Sequence, residues 1–403
     1  GNDHFTYLGD DDPVIELKVG QKYSFLRDSA GHPLRIVSEE DCDGKGCDTG
    51  EWTSLPTSSV SNVDAEQGVA NIVWRPKKAG TYYYLCISHP AMLGTITVVW
   101  DTCNFPHKGA FSLIQSCKIT SDFSLQGDMV INAPSARLRS TDEKVLLAYE
   151  ATGDQSISSG SYKFEMHNVE VAPQFGSGDA LVQGSGDIIL NNVDIKESGE
   201  DRDSAREGVF TSDGGKIVAQ NIAIHNVGAM SFKAINGGDI SLADVTISGS
   251  YTGDTSLGSF TTGVESVIGI KGGALTMRNV QMTGGWRLAG MEDATSLFEA
   301  VTMDGNKGIK GKNTGIQMER STIKNLDGKY AIDLDNSAQD NKDKELLISK
   351  STIKDNRGET NGPISVKVHS TTSYRSKIKL IEVDFSGNKK AVLSAFFFPL
   401  KST

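Results

Sequence analysis

Two rhythms of apolar and polar residues run along this chain of 403 residues. Near its start, short runs alternate with period two, as in Pro13-Val-Ile-Glu-Leu-Lys-Val19, and alternation of that kind predicts strands with one face buried. Lys22 to Leu26, His32 to Val37, Val69 to Arg75, Thr81 to Cys86 and Gly94 to Trp100 read the same way. Short strands at this density, broken by turns, predict an antiparallel sandwich. A long polar insert, Ser38 to Gly68, interrupts them.

Past Asp101 the rhythm changes to a six-residue unit that begins and ends apolar, with a polar turn residue at its third position. It is seen in Leu190-Asn-Asn-Val-Asp-Ile195, Ala219-Gln-Asn-Ile-Ala-Ile224, Leu242-Ala-Asp-Val-Thr-Ile247 and Met277-Arg-Asn-Val-Gln-Met282. Further copies end at Met303, Ile323, Ile353 and Phe385, so that successive ends lie 20–35 positions apart. A glycine turn precedes most copies, among them Gly214-Gly215, Gly237-Gly238 and Gly272-Gly273. A period of this length, made of short strands, predicts a solenoid in which each repeat buries its apolar side on its neighbours. Asn168, Asn192, Asn221 and Asn279 share one turn position and are expected to stack as a hydrogen-bonding ladder. Asp244, Ala300, Arg320, Lys350 and Glu382 stand there in other repeats, where the ladder is expected to break. The apolar tail Ala391 to Leu400 is expected to cap the open end.

Composition narrows the function classes. The 43 glycines suit β-structure with many turns, and no apolar run reaches the length of a membrane span. A net charge of −11 speaks against nucleic acid as a partner and suits cations or a basic protein. The five cysteines are Cys42, Cys47, Cys86, Cys103 and Cys117. If Cys86 ligates a metal, the rest form two local pairs, Cys42 with Cys47 and Cys103 with Cys117; the alternative is a set of unpaired cytosolic thiols. Disulfides imply a secreted or cell-surface protein, its leader removed.

The chemistry concentrates in Tyr82-Tyr-Tyr-Leu-Cys-Ile-Ser-His-Pro-Ala-Met92, with His32 in a separate loop. One thiolate, two imidazoles and a weak thioether are the donor set of a type 1 copper site, because thiolate and thioether favour Cu(I) while imidazole suits both oxidation states. With this motif, residues 5–100 resemble a cupredoxin, the blue copper family, and the ligand-loop spacing is similar to that of amicyanin. The resemblance implies one copper ion with His32, Cys86 and His89 in its trigonal plane and Met92 as weak axial ligand. It also implies a redox partner docking near the edge of His89. Pro33 departs from the family, where Asn often follows the first histidine, and this bears on the tuning of the site. None of the seven histidines forms a His-x-His pair, which excludes a trinuclear copper centre, and a single loop cysteine excludes a binuclear one.

The second region, in its order of strand, glycine turn, strand, asparagine turn, strand and loop, resembles a right-handed parallel β-helix of the pectate-lyase type, with about nine coils. The expected architecture is therefore all-β: a Greek-key β-sandwich over residues 1–102, then a right-handed parallel β-helix over residues 103–403. Lys233, Arg287, Lys310, Asp333, Asp335, Lys367 and His369 are expected in one outward row. Paired carboxylates with basic neighbours would suit a polysaccharide lyase or hydrolase, and a stack of cross-strand ion pairs on a solvated sheet is the plainer alternative. No paired motif resembling pectate lyases or polygalacturonases occurs. The sequence thus reads as a secreted or surface copper protein for electron transfer or copper carriage, not a hydrolase or lyase. Its β-helix would be a stalk or a module for a glycan or surface protein. The alternatives are a polysaccharide-acting β-helix enzyme with an accessory copper domain, and a non-catalytic adhesin.

Overall fold

A computed structural model describes residues 6–7, 10–25, 34–38, 60–61, 71–86, 89, 92–103, 111–114, 116–125, 128–133, 135–140, 143–150, 157–174, 181–196, 209–225, 230–249, 266–284, 287–305, 308–326, 331–336, 344–355, 363–369, 377–388 and 393–398. Every regular element among them is a β-strand. The chain divides into two compact units: Gly1–Cys103 with Gln115–Lys118, and Asn104–Ile114 with Ile119–Thr403.

In the first unit a four-stranded sheet runs in the order Ile15–Lys18, Leu93–Val99, Gly80–Cys86, Leu34–Ser38. Its first pair is parallel and the other two are antiparallel. A second, antiparallel sheet joins Tyr23–Phe25, Ile72–Trp74 and Val60–Ser61. Period-two alternation sends Tyr82, Tyr84, Ile96 and Val98 from the first sheet and Ile72 and Trp74 from the second into one buried cluster. Trp74 meets Tyr82 edge-on, ring centroids 4.9 Å apart, the geometry that aromatic quadrupoles favour. Val37 and Leu85, on the opposite parity, bury under Tyr83 and Leu93. The unit is closed by a disulfide between Cys103 and Cys117, as the cysteine count anticipates for that pair. Cys42 and Cys47 lie outside the described residues.

The second unit is built from long parallel sheets, an arrangement compatible with a β-helix. One sheet holds twelve strands, all parallel, from Phe111–Leu113 through Phe210–Asp213, Arg287–Glu292 and Ile332–Asn336 to Leu393–Phe398. From Val182 onward the chain alternates between this sheet and a second parallel sheet that includes Ile188–Ile195, Lys216–His225, Asp239–Ser248 and Ala274–Thr283. The twelve strands outnumber the copies of the sequence motif, because Phe111–Leu113 and Met129–Ile131 stack before the first left-handed turn, at Asn168, and Leu393–Phe398 follows the last, at Glu382.

The turn explains the motif. Asn168, Asn192, Asn221, Asp244, Asn279, Ala300, Arg320, Lys350 and Glu382 all adopt positive φ, between 47° and 61°. One left-handed residue breaks the period-two pleat, so Leu190 before it and Val193 and Ile195 after it all point into the core. Stacking then sets like on like: Phe164, Ile188, Ile217, Ile240 and Leu275 form one buried column. Val169, Val193, Ile222, Val245 and Val280 form another. Amides link turns of neighbouring repeats: Asn192 Nδ2 donates to Asn168 Oδ1 and Asn279 Nδ2 to Asp244 Oδ1, the latter at 2.7 Å. The break expected at Asp244 is thus corrected, since a carboxylate accepts from the next amide as well as a carbonyl does. Other columns repeat the device, Asn236 donating to Asp213 at 2.6 Å and Asn313 to Asp293 at 2.7 Å. Glycine is required at Gly273, where a Cβ would lie 2.0 Å from the carbonyl oxygen of Gly238 in the turn beneath.

Candidate metal centre

Cys86 ends the strand Gly80–Cys86 and shares its parity with the core residues Tyr82 and Tyr84, so its side chain is fully buried. It carries a thiol rather than a disulfide sulfur. Met92, 3% exposed, directly precedes the strand Leu93–Val99, which pairs antiparallel with the first, Leu85 opposite Leu93. The connection is a tight turn pinned by its own backbone: Cys86 N–H donates to the Met92 carbonyl at 3.1 Å, His89 N–H to that of Cys86 at 3.3 Å, and Met92 N–H to that of His89 at 2.9 Å. The turn brings His89, which is exposed, back over the cysteine, with Nδ1 3.6 Å from Cys86 Sγ. One buried sulfur and one exposed imidazole therefore meet at this turn, which a buried methionine closes.

The donor set can be tested against a metal. Bond lengths of about 2.3 Å to sulfur and about 2.0 Å to nitrogen, at an angle between tetrahedral and trigonal, put the two donor atoms roughly 3.5–3.7 Å apart. The observed 3.6 Å falls there. His32 lies outside the described residues; the strand Leu34–Ser38 that follows it pairs with the cysteine strand, Leu34 opposite Cys86. Among the described residues no three His, Cys, Asp or Glu side chains gather as a metal-binding group. The trio at this turn contributes two such residues and a methionine.

The outward row of the second unit resolves into separate columns. Lys233, Gly269, Gly290, Lys310 and Asp333 stand in one register, and Asp333 is followed by Ser365. Two residues further along, Lys271, Glu292, Lys312, Asp335 and Lys367 form a second column of alternating sign. Within it Glu292 is bridged by Lys312 at 3.1 Å and Lys271 at 3.4 Å. His369 pairs with Phe398 in a third register. Arg287 is on the opposite parity, that of the buried Ala289 and Met291, and leaves the row. Asp333 and Asp335 do point the same way, but each faces a lysine across the ladder, the arrangement of cross-strand ion pairing.

Sequence reasoning missed Lys271, Glu292 and Lys312, whose signal is their fixed offset of two residues from the first column. It also missed a cluster on the other sheet. The Glu165 side chain, 5% exposed, is met by Arg137, by Lys163 at 2.5 Å and by His167 Nε2 at 3.1 Å. Burial alone would raise its pKa, but the hydrogen bonds from His167 and Lys163 and the charge of Arg137 outweigh burial and hold it down at about 2. Compared with known proteins, the chain matches no family model and no curated sequence.

Proposed function

We propose that the first unit is a cupredoxin-type domain holding one type 1 copper ion through His32, Cys86, His89 and Met92, and that it serves electron transfer or copper carriage. The observation that carries this reading is the 3.6 Å approach of His89 Nδ1 to the buried Cys86 Sγ within a turn closed by Met92. Copper, when bound, supplies one-electron redox chemistry. The chain's part is to hold the donors still. Cys86 ends one of two paired strands and Met92 directly precedes the other, and the backbone bonds of the turn tie them together while His89 presents an imidazole edge to solvent.

The second unit, in this reading, is a right-handed parallel β-helix that acts as a stalk. The Cys103–Cys117 disulfide supports an extracellular or cell-surface setting. Protein purified without added metal is to be assayed for metal content and visible absorption. The expected result is equimolar copper with an intense thiolate charge-transfer band that Cys86→Ser abolishes. A colourless copper complex, or no copper uptake, rejects the proposal.

A further inference from the structure

One surface position in the second unit carries a glycine that nothing in the backbone explains. Gly315 opens the strand Gly315–Glu319 and lies on its outward parity, between the buried Thr314 and Ile316. Its φ is not in the left-handed region, unlike Gly272 and Gly237 in the turns. A Cβ added there would meet nothing nearer than the carbonyl oxygen of Glu345 at 3.6 Å, an ordinary contact. Neither conformation nor packing therefore demands glycine, and in a strand glycine costs about 0.5–1 kcal/mol relative to alanine. A glycine in a strand can mark a place where a ligand or another backbone comes close.

Gly315 lines a surface cavity of roughly 270 Å³. Thr295 stands beside Gly315 in the ladder, and Gln317 follows two residues on. Lys344, Glu345 and Leu347 close the far side. Thr295 and Gln317 are exposed, and the other three are half-buried. The donor and acceptor capacities are mixed. The threonine hydroxyl and glutamine amide do both, the ammonium only donates and the carboxylate only accepts. Glu345 is kept ionised by Lys379, whose ammonium lies 2.8 Å from its Oε1 and whose hydrogen bond lowers the carboxyl pKa. Leu347 adds one aliphatic surface.

We propose that this notch binds a polyol, in the form of a single sugar residue of a glycan. A sugar ring carries hydroxyls that both donate and accept, matching the mixed rim, and a face of C–H groups that matches Leu347. Apolar ligands would strand the four polar side chains, and a nucleic acid is disfavoured by the net charge of −11. A volume slightly under the usual range of drug-sized pockets, which begins at about 300 Å³, suits one ring and not a longer segment. The site is independent of the metal reading.

The test is saturation-transfer NMR on the full chain with the methyl glycosides of glucose, galactose, N-acetylglucosamine and glucuronic acid as probes. At least one should receive saturation, with transfer to its ring protons. Gly315→Val, a β-branched residue suited to a strand, intrudes on the floor of the notch and should reduce that signal at least tenfold with an unchanged melting temperature. Gln317→Ala, at an exposed position, should weaken it several-fold and serves if the valine variant proves unstable. Transfer to glucuronide alone would narrow the ligand to acidic sugars. No transfer to any of the four probes, or transfer undiminished in both variants, overturns the proposal.

Discussion

The two units bury their cores by opposite means. In the first, a handful of unlike side chains interlock once: Trp74 against Tyr82, with Tyr84 Oη donating to the Pro13 carbonyl at 2.7 Å across a separation of 71 residues. In the second, like residues stack on like at every repeat, and the same turn recurs with the same φ. The first design concentrates information, so that one turn between two strands can gather a cysteine, a histidine and a methionine. The second spreads it, so that a side chain's meaning lies in its column rather than in its neighbours along the chain. Experiments that act on one design should leave the other alone.

The largest separation is expected from Phe232→Ala. Phe232 is fully buried and stacks on Phe210 at 6.0 Å. Its truncation should cost about 3–5 kcal/mol, and in a repeat stack the loss reaches adjoining repeats. In a Trp286→Phe background, used for this and the following comparisons so that every tryptophan belongs to the first unit, urea unfolding followed by far-ultraviolet circular dichroism should move to lower denaturant, while tryptophan emission keeps its midpoint. Equal displacement of both signals would show that the units unfold as one and dissolve the contrast.

The converse experiment removes the disulfide. Cys103 and Cys117 are 14 residues apart, and closing a loop of that size stabilises by about 3 kcal/mol. Replacing both by alanine should lower the tryptophan transition by about 2–4 kcal/mol and leave the dichroism transition of the second unit in place. A loss confined to the second unit would assign the bridge to the wrong side of the comparison.

How much of this was legible in the sequence follows from the same contrast. The repeat is legible because columns force a period: Leu190, Val193 and Ile195 recur as Ala219, Ile222 and Ile224, and the period aligns even the odd residues Ala300 and Lys350 with Asn192, all of them left-handed in the backbone. Parity within an outward strand was harder. The sequence pattern puts Arg287 in the outward row with Lys310, whereas the register sets it three residues before Gly290 and on the core side. Phe111–Leu113 and Met129–Ile131 precede the first copy of the motif, which therefore does not report them. The notch at Gly315 was invisible, since one glycine among 43 announces nothing until its φ and its neighbours are known. At the metal turn the opposite held: Cys86, His89 and Met92 lie within seven residues, so spacing alone brought them together, whereas His32 depends on the pairing of Leu34 with Cys86.

An intermediate effect should appear in acid. Glu165 has its pKa held at about 2, below the ordinary 4.5. A depressed carboxyl stabilises the fold fully above its unfolded pKa, and that stability is lost as pH falls through the folded value. The window therefore runs from about pH 4.5 down to about 2, and with partners such as Lys163 at 41% exposure the screened effect is about 1–3 kcal/mol. Glu165→Gln should flatten the loss of second-unit stability across this window. The tryptophan transition should respond to acid identically in both proteins.

The smallest effect probes the stack most finely. Ala300 sits at φ 54° in a column that holds asparagine or aspartate in earlier repeats. A left-handed backbone costs an alanine about 1 kcal/mol, which asparagine partly avoids through local hydrogen bonding and glycine avoids by having no Cβ. Ala300→Asn should therefore raise the stability of the second unit by about 0.5–1 kcal/mol, read from the midpoint of its dichroism transition. Ala300→Gly separates two causes. If glycine gains as much as asparagine, relief of the backbone accounts for the whole effect. If asparagine gains more, its amide has joined the ladder that runs from Asp244 to Asn279, and side-chain stacking adds stability of its own, as the column view requires. A gain from neither would mean that the repeat tolerates its turn residues because the strands on both sides already impose the turn.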